Sequence, residues 1–354
     1  MRGKRAFVCL LLALCLLCGG CAAETKKLQK FSATFYDAFD TIISLIGYAE
    51  DQQTFDAAYK KTQEMFLRYH QVYDAYNAYE GVHNLYEVNR LAGQGPAKAE
   101  PELIDLLLYM KGNQPGLQGR VNVAMGAVLR CWHAYREAGT AVPTPEELQP
   151  LSEHCDFDDV IVDREAGTVY FADPLLSLDL GAAAKGYATE IVASWLLTSD
   201  MPSFIISAGG NVRCGHKPQD GRNYWGVGIQ DPENALLGAN ITKDVLYLTD
   251  TSVVSSGDYQ RYYTVDGVRY HHIIDPDTLY PSDFMRQVTI VTQDSGYADL
   301  LSTAVFLMPY EQGRAFVDGL AGVEAYWVLN DGSVRMTDAL ASRLKSLGAS
   351  AMDP

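Results

Sequence analysis

Between Val160 and Leu329 the chain carries many short strand signals and few helices, in no regular alternation. Runs rich in β-branched and aromatic residues fall at 160–162, 169–171, 176–180, 204–207, 225–229, 245–248, 262–265, 288–291 and 325–329. Helical patterns interrupt them only at 186–197 and 298–306. A doubly wound parallel sheet needs strand and helix in strict succession. That succession is missing, so the expected class is α+β: mixed, with two sheets and flanking helices.

The first half is simpler. Residues 31–48, rich in aromatic and β-branched side chains, predict a strand. From Asp51 to about Asn77 the residues Phe55, Tyr59, Met65, Phe66, Tyr69 and Tyr73 recur near helical spacing, and such a stripe usually faces a core. A shorter helix is expected over 82–91. Pro101 opens another, with Leu103, Leu106, Leu107 and Met110 on one face. Asp331-Gly332 predicts a turn. No repeat, low-complexity tract or linker divides 31–345, which we read as one domain followed by a tail, 346–354.

Residues 1–20 differ in kind. Arg2, Lys4 and Arg5 precede an apolar run from Ala6 to Leu17, too short to span a bilayer and suited to a signal peptide. Gly19-Gly20 directly before Cys21 resembles a lipobox, so Cys21 is the expected lipidation site and 21–30 a tether. The expected location is the extracytoplasmic face of a bacterial cell membrane, held by the lipid. A formal charge of -16 argues against nucleic acid as a partner. Beyond the leader only Cys131, Cys155 and Cys214 remain, without metal-ligand spacing, and they read as small buried hydrophobes.

Four segments carry chemistry. In Asp179-Leu180-Gly181-Ala182-Ala183-Ala184-Lys185-Gly186-Tyr187 a strand ends in small residues and a helix opens, placing N–H groups and a Lys together as an anion site. Tight strand–helix packing would ask for the same small residues. Ser207-Ala208-Gly209-Gly210-Asn211 lets backbone approach a ligand, or simply turns. Ser255-Ser256-Gly257-Asp258 is followed by His271-His272-Ile273-Ile274-Asp275-Pro276. Adjacent residues of a strand face opposite ways, so at most one of the two His serves a given site. Asp299 and Thr303, four apart, share one helical face and offer hard oxygen donors suited to Mg²⁺. Asp299 could instead favour the first helical turn.

Together these segments resemble the ApbE-type FAD:protein FMN transferases. Asp179 to Tyr187 is similar to that family's Asp-Leu-Gly-Gly-x-Ala-Lys-Gly-Tyr block. Gly209-Gly210, the stretch from Trp225 to Pro232, Ser256-Gly257-Asp258-Tyr259, His272 to Pro276 and Ala298 to Thr303 match further blocks in the same order. The resemblance covers about residues 33–340. Phe39 stands where the family often has Met, Asn122 where it often has Asp, and Ala182 where it has Gly. The region from Tyr73 to Asn89 is rearranged, which leaves Tyr76 and Tyr79 both open as flavin contacts.

The resemblance implies a T-fold-related architecture and Mg²⁺-dependent transfer of FMN from FAD, its substrate, to a Ser or Thr hydroxyl, with release of AMP. It implies that Asp299, Thr303 and the Ala182 carbonyl bind Mg²⁺. Lys185 would stabilise phosphate and Asp179 would bind the nucleotide. Phe39, Val121, Asn122, Gly209, Gly210, Ser256, Gly257 and Ile273 would line the flavin cleft. His272 would take the acceptor proton. The implied partner is a flavoprotein with a short Ser/Thr-containing motif. Rival readings are an FAD pyrophosphatase, a non-catalytic flavin-binding lipoprotein and a substrate-binding lipoprotein.

Overall fold

The computed structural model describes residues 27–236 and 241–352. The leader, Cys21 and most of the tether lie outside the described residues. The expected strand over 31–48 is a hairpin, β1 (Gln29–Ala38) and β2 (Thr41–Ala49), with Ala38 opposite Thr41. β1 thus takes up the last two residues assigned to the tether. A two-residue hairpin turn of this hand needs positive φ at both central positions. Phe39 (φ 56°) and Asp40 (φ 50°) adopt it although neither is glycine. What anchors the turn is packing: the Phe39 ring lies edge-on to Phe66 and His70 of α1 (Gln52–Tyr73), and Phe39 N–H donates to His70 Nδ1 at 3.3 Å. Helix α1 starts at Asp51, whose carboxylate caps Thr54 N–H at 2.8 Å.

An eight-stranded, wholly antiparallel sheet forms the centre, in the order β1-β2-β6-β7-β10-β13-β14-β15. Its later members are β6 (Phe204–Ala208), β7 (Asn211–Cys214), β10 (Ser252–Gly257), β13 (Gln287–Thr292), β14 (Glu324–Val328) and β15 (Val334–Met336). Small sheets are built by β3 (Ala97–Lys98), β4 (Val160–Asp163) and β5 (Thr168–Phe171), by β8 (Trp225–Gln230) with β9 (Thr242–Leu248), and by β11 (Tyr262–Val265) with β12 (Val268–His271). The expected α+β class stands, with one large and three small sheets among the described residues rather than two.

Period-two alternation divides the core between the faces of the large sheet. Phe204, Ile206, Ala208, Val288, Ile290 and Trp327 face the main cluster. That cluster is covered by α1, by α6 (Ala184–Leu197) and by α8 (Ser295–Phe306). Ile205, Val212, Val253, Val291 and Tyr326 point the other way, onto Trp225, Val227 and Leu246 of the β8–β9 pair. The remaining helices are α2 (Leu85–Arg90), α3 (Pro101–Asn113), α4 (Gly126–Ala138), α5 (Pro145–Ser152), α7 (Pro232–Leu236) and α9 (Tyr310–Asp318).

Three expectations need correction. Residues 176–180 are no strand, despite burying Leu176, Leu178 and Leu180. The Asn89 side chain takes the place of a neighbouring strand, accepting from Leu178 N–H at 2.8 Å and donating to Leu178 O at 2.9 Å. Helices α4 and α5 were not foreseen; α5 carries a capping box between Thr144 and Glu147. Residues 346–352 of the expected tail are tied to the domain: Asn223 N–H donates to Ala351 O at 2.9 Å and Ser346 N–H to Asp244 Oδ1 at 3.1 Å. Cys131, Cys155 and Cys214 are all free, but only Cys214 is fully buried as expected, and burial pushes its thiol up to about 12; Cys131 and Cys155 are partly exposed. Among the described residues no helix is long and apolar enough to cross a membrane.

Candidate active site

A cleft of about 1070 Å³ opens where β2, β6 and β10 end, between the loop after α1, helix α4 and the start of α6. At its floor the β6–β7 turn uses Gly209 (φ 54°) and Gly210 (φ 96°). A Cβ on Gly209 would stand 2.2 Å from Thr41 Oγ1, so only glycine lets this turn close on β2.

Helix α6 begins at Ala183 without any side-chain cap. Before it, Asp179 Oδ1 accepts from Gly181 N–H at 2.8 Å and shapes the turn. In the first turn of α6 Ala184 N–H donates to Leu180 O at 2.8 Å and Gly186 N–H to Asp299, so what favours an anion here is the positive end of the helix dipole together with Lys185. Lys185 lies in that turn, its Nζ 4.0 Å from Asp299 Oδ2. Asp299 is buried in the second turn of α8, whose cap is Asp294, and accepts from Gly186 N–H at 2.8 Å. Burial raises its carboxyl above the usual range, opposed by Lys185, the Gly186 N–H and the Asn211 side chain. Thr303, one turn on, also lines the cleft, as does Ala182. Ser302 between them bonds Ser256 Oγ at 2.8 Å and the Asp299 carbonyl at 2.9 Å. Asn211 Oδ1 is buried and has no hydrogen-bond partner among the described residues.

The two histidines are sharply distinguished. His271 is buried; its Nε2–H donates to Ser282 O at 2.7 Å and its Nδ1 accepts from Ile273 N–H at 3.2 Å. Both nitrogens are used, so it is structural. His272 lines the cleft and its Nδ1 lies 3.2 Å from Arg261 O. A carbonyl only accepts, so Nδ1 carries the proton and Nε2 keeps its lone pair. The ring is half-open to the cleft, yet the protein packed around it withholds enough water to favour the neutral form. That desolvation, aided by His271, Arg261 and Lys185, brings its pKa down to about 3.

Of the other sequence-predicted residues, Phe39, Tyr76, Val121, Asn122, Asp179, Gly209, Gly210, Ser256 and Ile273 lie on the cleft wall. Tyr76 donates to Asp179 Oδ2 at 3.2 Å. Tyr79 is not on the wall; its hydroxyl is spent on Asp74 Oδ2 at 2.8 Å, with His70 Nε2 at 3.3 Å. Gly257 is not there either; a Cβ on it would meet the Tyr259 ring at 2.4 Å, a packing requirement. Asn122 uses both ends of its amide within the protein, on Cys155 O and Ala124 N–H. Missed by the sequence reading were Arg120, Arg261 and the α4 residues Leu129, His133 and Arg136. The α4 set recurs at i, i+4 and i+7, a signal that helical periodicity would have exposed.

An antiparallel α+β scaffold whose main cleft joins one buried carboxylate, the start of a helix, a lysine and a neutral histidine has the layout for handling phosphate esters. The chain belongs to the ApbE family, whose family model matches residues 39–327. It is 33% identical over 275 residues to the FAD:protein FMN transferase of Treponema pallidum, covering 74% of this chain and 75% of that protein. It is 28% identical over 265 residues to the FAD:protein FMN transferase of Klebsiella pneumoniae, covering 74% and 79%. The crystal structure of the ApbE protein from Thermotoga maritima superposes with a TM-score of 0.77 at 26% identity, covering 88% of this chain and 98% of that one. Apo flavinyl transferase ApbE from Pseudomonas stutzeri gives 0.76 at 19% identity, covering 92% and 99%, a likeness of fold alone.

Proposed function

We propose that this protein transfers FMN from FAD to a Ser or Thr hydroxyl of an acceptor protein and releases AMP. The observation that carries this reading is the meeting of Lys185, Asp299 and a neutral His272 with a free Nε2 in one cleft. The acceptor oxygen attacks the FMN-side phosphorus and the pyrophosphate P–O bond breaks. AMP departs with the bridging oxygen, and the hydroxyl proton passes to His272 Nε2. Such a transfer asks mainly for positioning and charge neutralisation. Lys185 and the first turn of α6 supply positive potential for the phosphates. Gly209 and Gly210 admit the flavin close to the sheet end.

The donor set fits Mg²⁺. Among the described residues no three His, Cys, Asp or Glu side chains gather to cage a metal. Mg²⁺ does not ask for a cage; it commonly takes one or two carboxylates, waters and substrate phosphates. Asp299, Thr303 and the Ala182 carbonyl would hold it, and the unpartnered Asn211 Oδ1 adds a free acceptor beside Asp299. When bound it would neutralise pyrophosphate charge.

The test mixes protein lacking residues 1–21 with FAD, Mg²⁺ and an acceptor domain carrying a Ser/Thr motif, and follows acceptor mass and AMP. A gain of one FMN with matching AMP, lost on chelation, is expected. AMP without acceptor modification would replace transfer by hydrolysis, and bound FAD without AMP would leave a flavin carrier. We further propose that Cys21 carries a lipid that holds the protein at the extracytoplasmic membrane face. Cys21→Ser should move it from the membrane to the soluble fraction of cells, and an unchanged distribution would refute the anchor.

A further inference from the structure

The β11–β12 hairpin stands apart from the large sheet, with strand pairing only between its own two members. It leads directly into His272, and both His272 N–H groups, backbone N at 3.1 Å and Nδ1 at 3.2 Å, reach the carbonyl of Arg261 at the hairpin's entrance. The orientation of this imidazole is therefore the orientation of the hairpin base. Backbone pairing to the sheet does not fix that base, so side chains must.

On one side the hairpin leans on aromatic rings: Tyr270 lies 6.0 Å from Trp132 of α4 and 5.8 Å from Tyr263. On the other side it is tied by charge. Arg269 of β12 donates to Asp258 Oδ2 at 2.6 Å, and Arg286, just before β13, donates to the same oxygen at 2.8 Å. Asp258 follows the end of β10, and its own N–H donates to Arg286 O at 3.0 Å. Asp258 and Arg286 are thus part of the sheet's end, and Arg269 fastens the hairpin to it, beside the bond from His271 Nε2–H to Ser282 O at the hairpin base. The Arg269 guanidinium also lies over the Tyr262 ring at 5.2 Å, spanning both strands. Asp258 is buried, and its Oδ1 and Arg286 Nη2 have no partner. Removing Asp258 would leave two guanidiniums without their carboxylate, whereas removing Arg269 leaves Asp258 still paired with Arg286.

We propose that Asp258 and Arg269 are positioning residues for His272: the pair locks the hairpin so that Nε2 stays aimed into the cleft. This rests on His272 being the proton acceptor of the proposed transfer. Neither residue touches the reacting atoms. Arg269 makes a single hydrogen bond to Asp258, so a lysine in its place retains the charge and one donor, and a methionine retains only the stem.

The experiment compares Arg269→Met, Arg269→Lys and Asp258→Asn in the full-length protein, with His272→Ala beside them. The readouts are kcat, KM for FAD, and the imidazole ¹⁵N shifts of His272, assigned by their loss in the His272→Ala variant. For Arg269→Met we expect kcat to fall on the order of 10²-fold, the scale of a misplaced catalytic group. KM for FAD should stay unchanged, and the His272 signals should shift from the Nδ1–H form towards mixed tautomers. Arg269→Lys should recover most of the rate. Arg269 is the milder site, so it decides the matter if Asp258→Asn fails to fold. Unchanged kcat and unchanged His272 shifts in Arg269→Met, with His272→Ala strongly impaired, would overturn the positioning role and leave the proposed reaction standing. A normal rate in His272→Ala would instead remove the base itself. A KM that rises in step with the fall in kcat/KM would make the pair part of FAD binding and refute positioning.

Discussion

Gly186 donates its backbone N–H to Asp299 Oδ2 at 2.8 Å, and it does so from a position with no room for a side chain. A Cβ on Gly186 would stand 2.4 Å from Asp299 Cβ and 2.5 Å from Ser295 O. The close approach of α6 and α8 at this point is what brings Lys185 and Asp299 together. Gly186→Ala should therefore cost about 1–3 kcal/mol of stability, the usual cost of overpacking. It should also weaken transfer by more than its loss of folded protein explains. Thermal unfolding and turnover per folded molecule check both parts. Full turnover with lowered stability would separate the packing from the chemistry.

Asp299→Asn tests the metal assignment more directly. The amide keeps an acceptor for Gly186 N–H, so the fold should persist. It removes the one charged donor of the Asp299, Thr303 and Ala182 set. Titration with Mg²⁺ should show a large rise in the concentration needed for half-maximal transfer, with a circular dichroism spectrum like that of the unsubstituted protein. An unaltered Mg²⁺ requirement would take Asp299 out of the site.

Much of this site was legible in sequence because its chemistry is carried by contiguous blocks. Asp179 to Tyr187 and Ala298 to Thr303 each lie on one loop-to-helix or helical segment, so spacing alone groups their side chains. The choice between His271 and His272 followed in principle from strand alternation, but its direction needed Ser282 O and Arg261 O, which no spacing reveals. Residues 176–180 misled for a related reason. A buried apolar run predicts a strand only if a strand lies beside it, and here Asn89 from 89 residues away does that work. Phe39 concealed the turn because a bulky aromatic seldom takes positive φ, although Asp40 beside it is of a type that does so more readily. The large sheet's order was out of reach, since β2 pairs with β6 across more than 150 residues of intervening chain.

The depressed pKa of His272 sets a pH signature. Neutral imidazole is the reactive form, so the acid limb of kcat/KM, which reports the free enzyme, should not fall near 6.5 on account of this residue. It should lie well below, towards the value of about 3. After desolvation and the neighbouring His271, the causes are the cations Arg261 and Lys185. Arg261→Gln keeps the backbone carbonyl that holds Nδ1 and removes one cation, so any limb set by His272 should move up. Phosphates bound at Lys185 act in the same direction, placing the limb of kcat above that of kcat/KM. The linkage to stability has a definite sign. Below 6.5 the unfolded chain binds a proton that the folded chain refuses, so His272 makes the free protein lose stability as pH falls from 6.5 towards 3. An acid limb that ignores Arg261→Gln would show that another group sets it.

The structure also separates Tyr76 from Tyr79. Tyr76 is on the cleft wall, its ring 5.5 Å from that of His133 and its hydroxyl on Asp179 Oδ2. Tyr79 is turned inward to Asp74, whose other oxygen accepts from Tyr76 N–H at 2.7 Å and Asn77 N–H at 3.1 Å. Tyr79 thus supports the loop, and Tyr76 is the tyrosine exposed on the cleft wall. An aromatic contact is worth about 0.5–1.5 kcal/mol beyond its buried area. Tyr76→Ala should therefore weaken FAD binding by roughly tenfold, which 1.4 kcal/mol corresponds to. Tyr79→Phe should leave FAD affinity unchanged and lower thermal stability, since it deletes the hydrogen bonds with Asp74 and His70, each worth about 1 kcal/mol. Flavin fluorescence quenching on titration with each variant measures the first effect and calorimetry the second. Equal loss of FAD affinity in both variants would mean that the loop acts as a unit, with Tyr79 reaching the flavin through Asp74 and Tyr76.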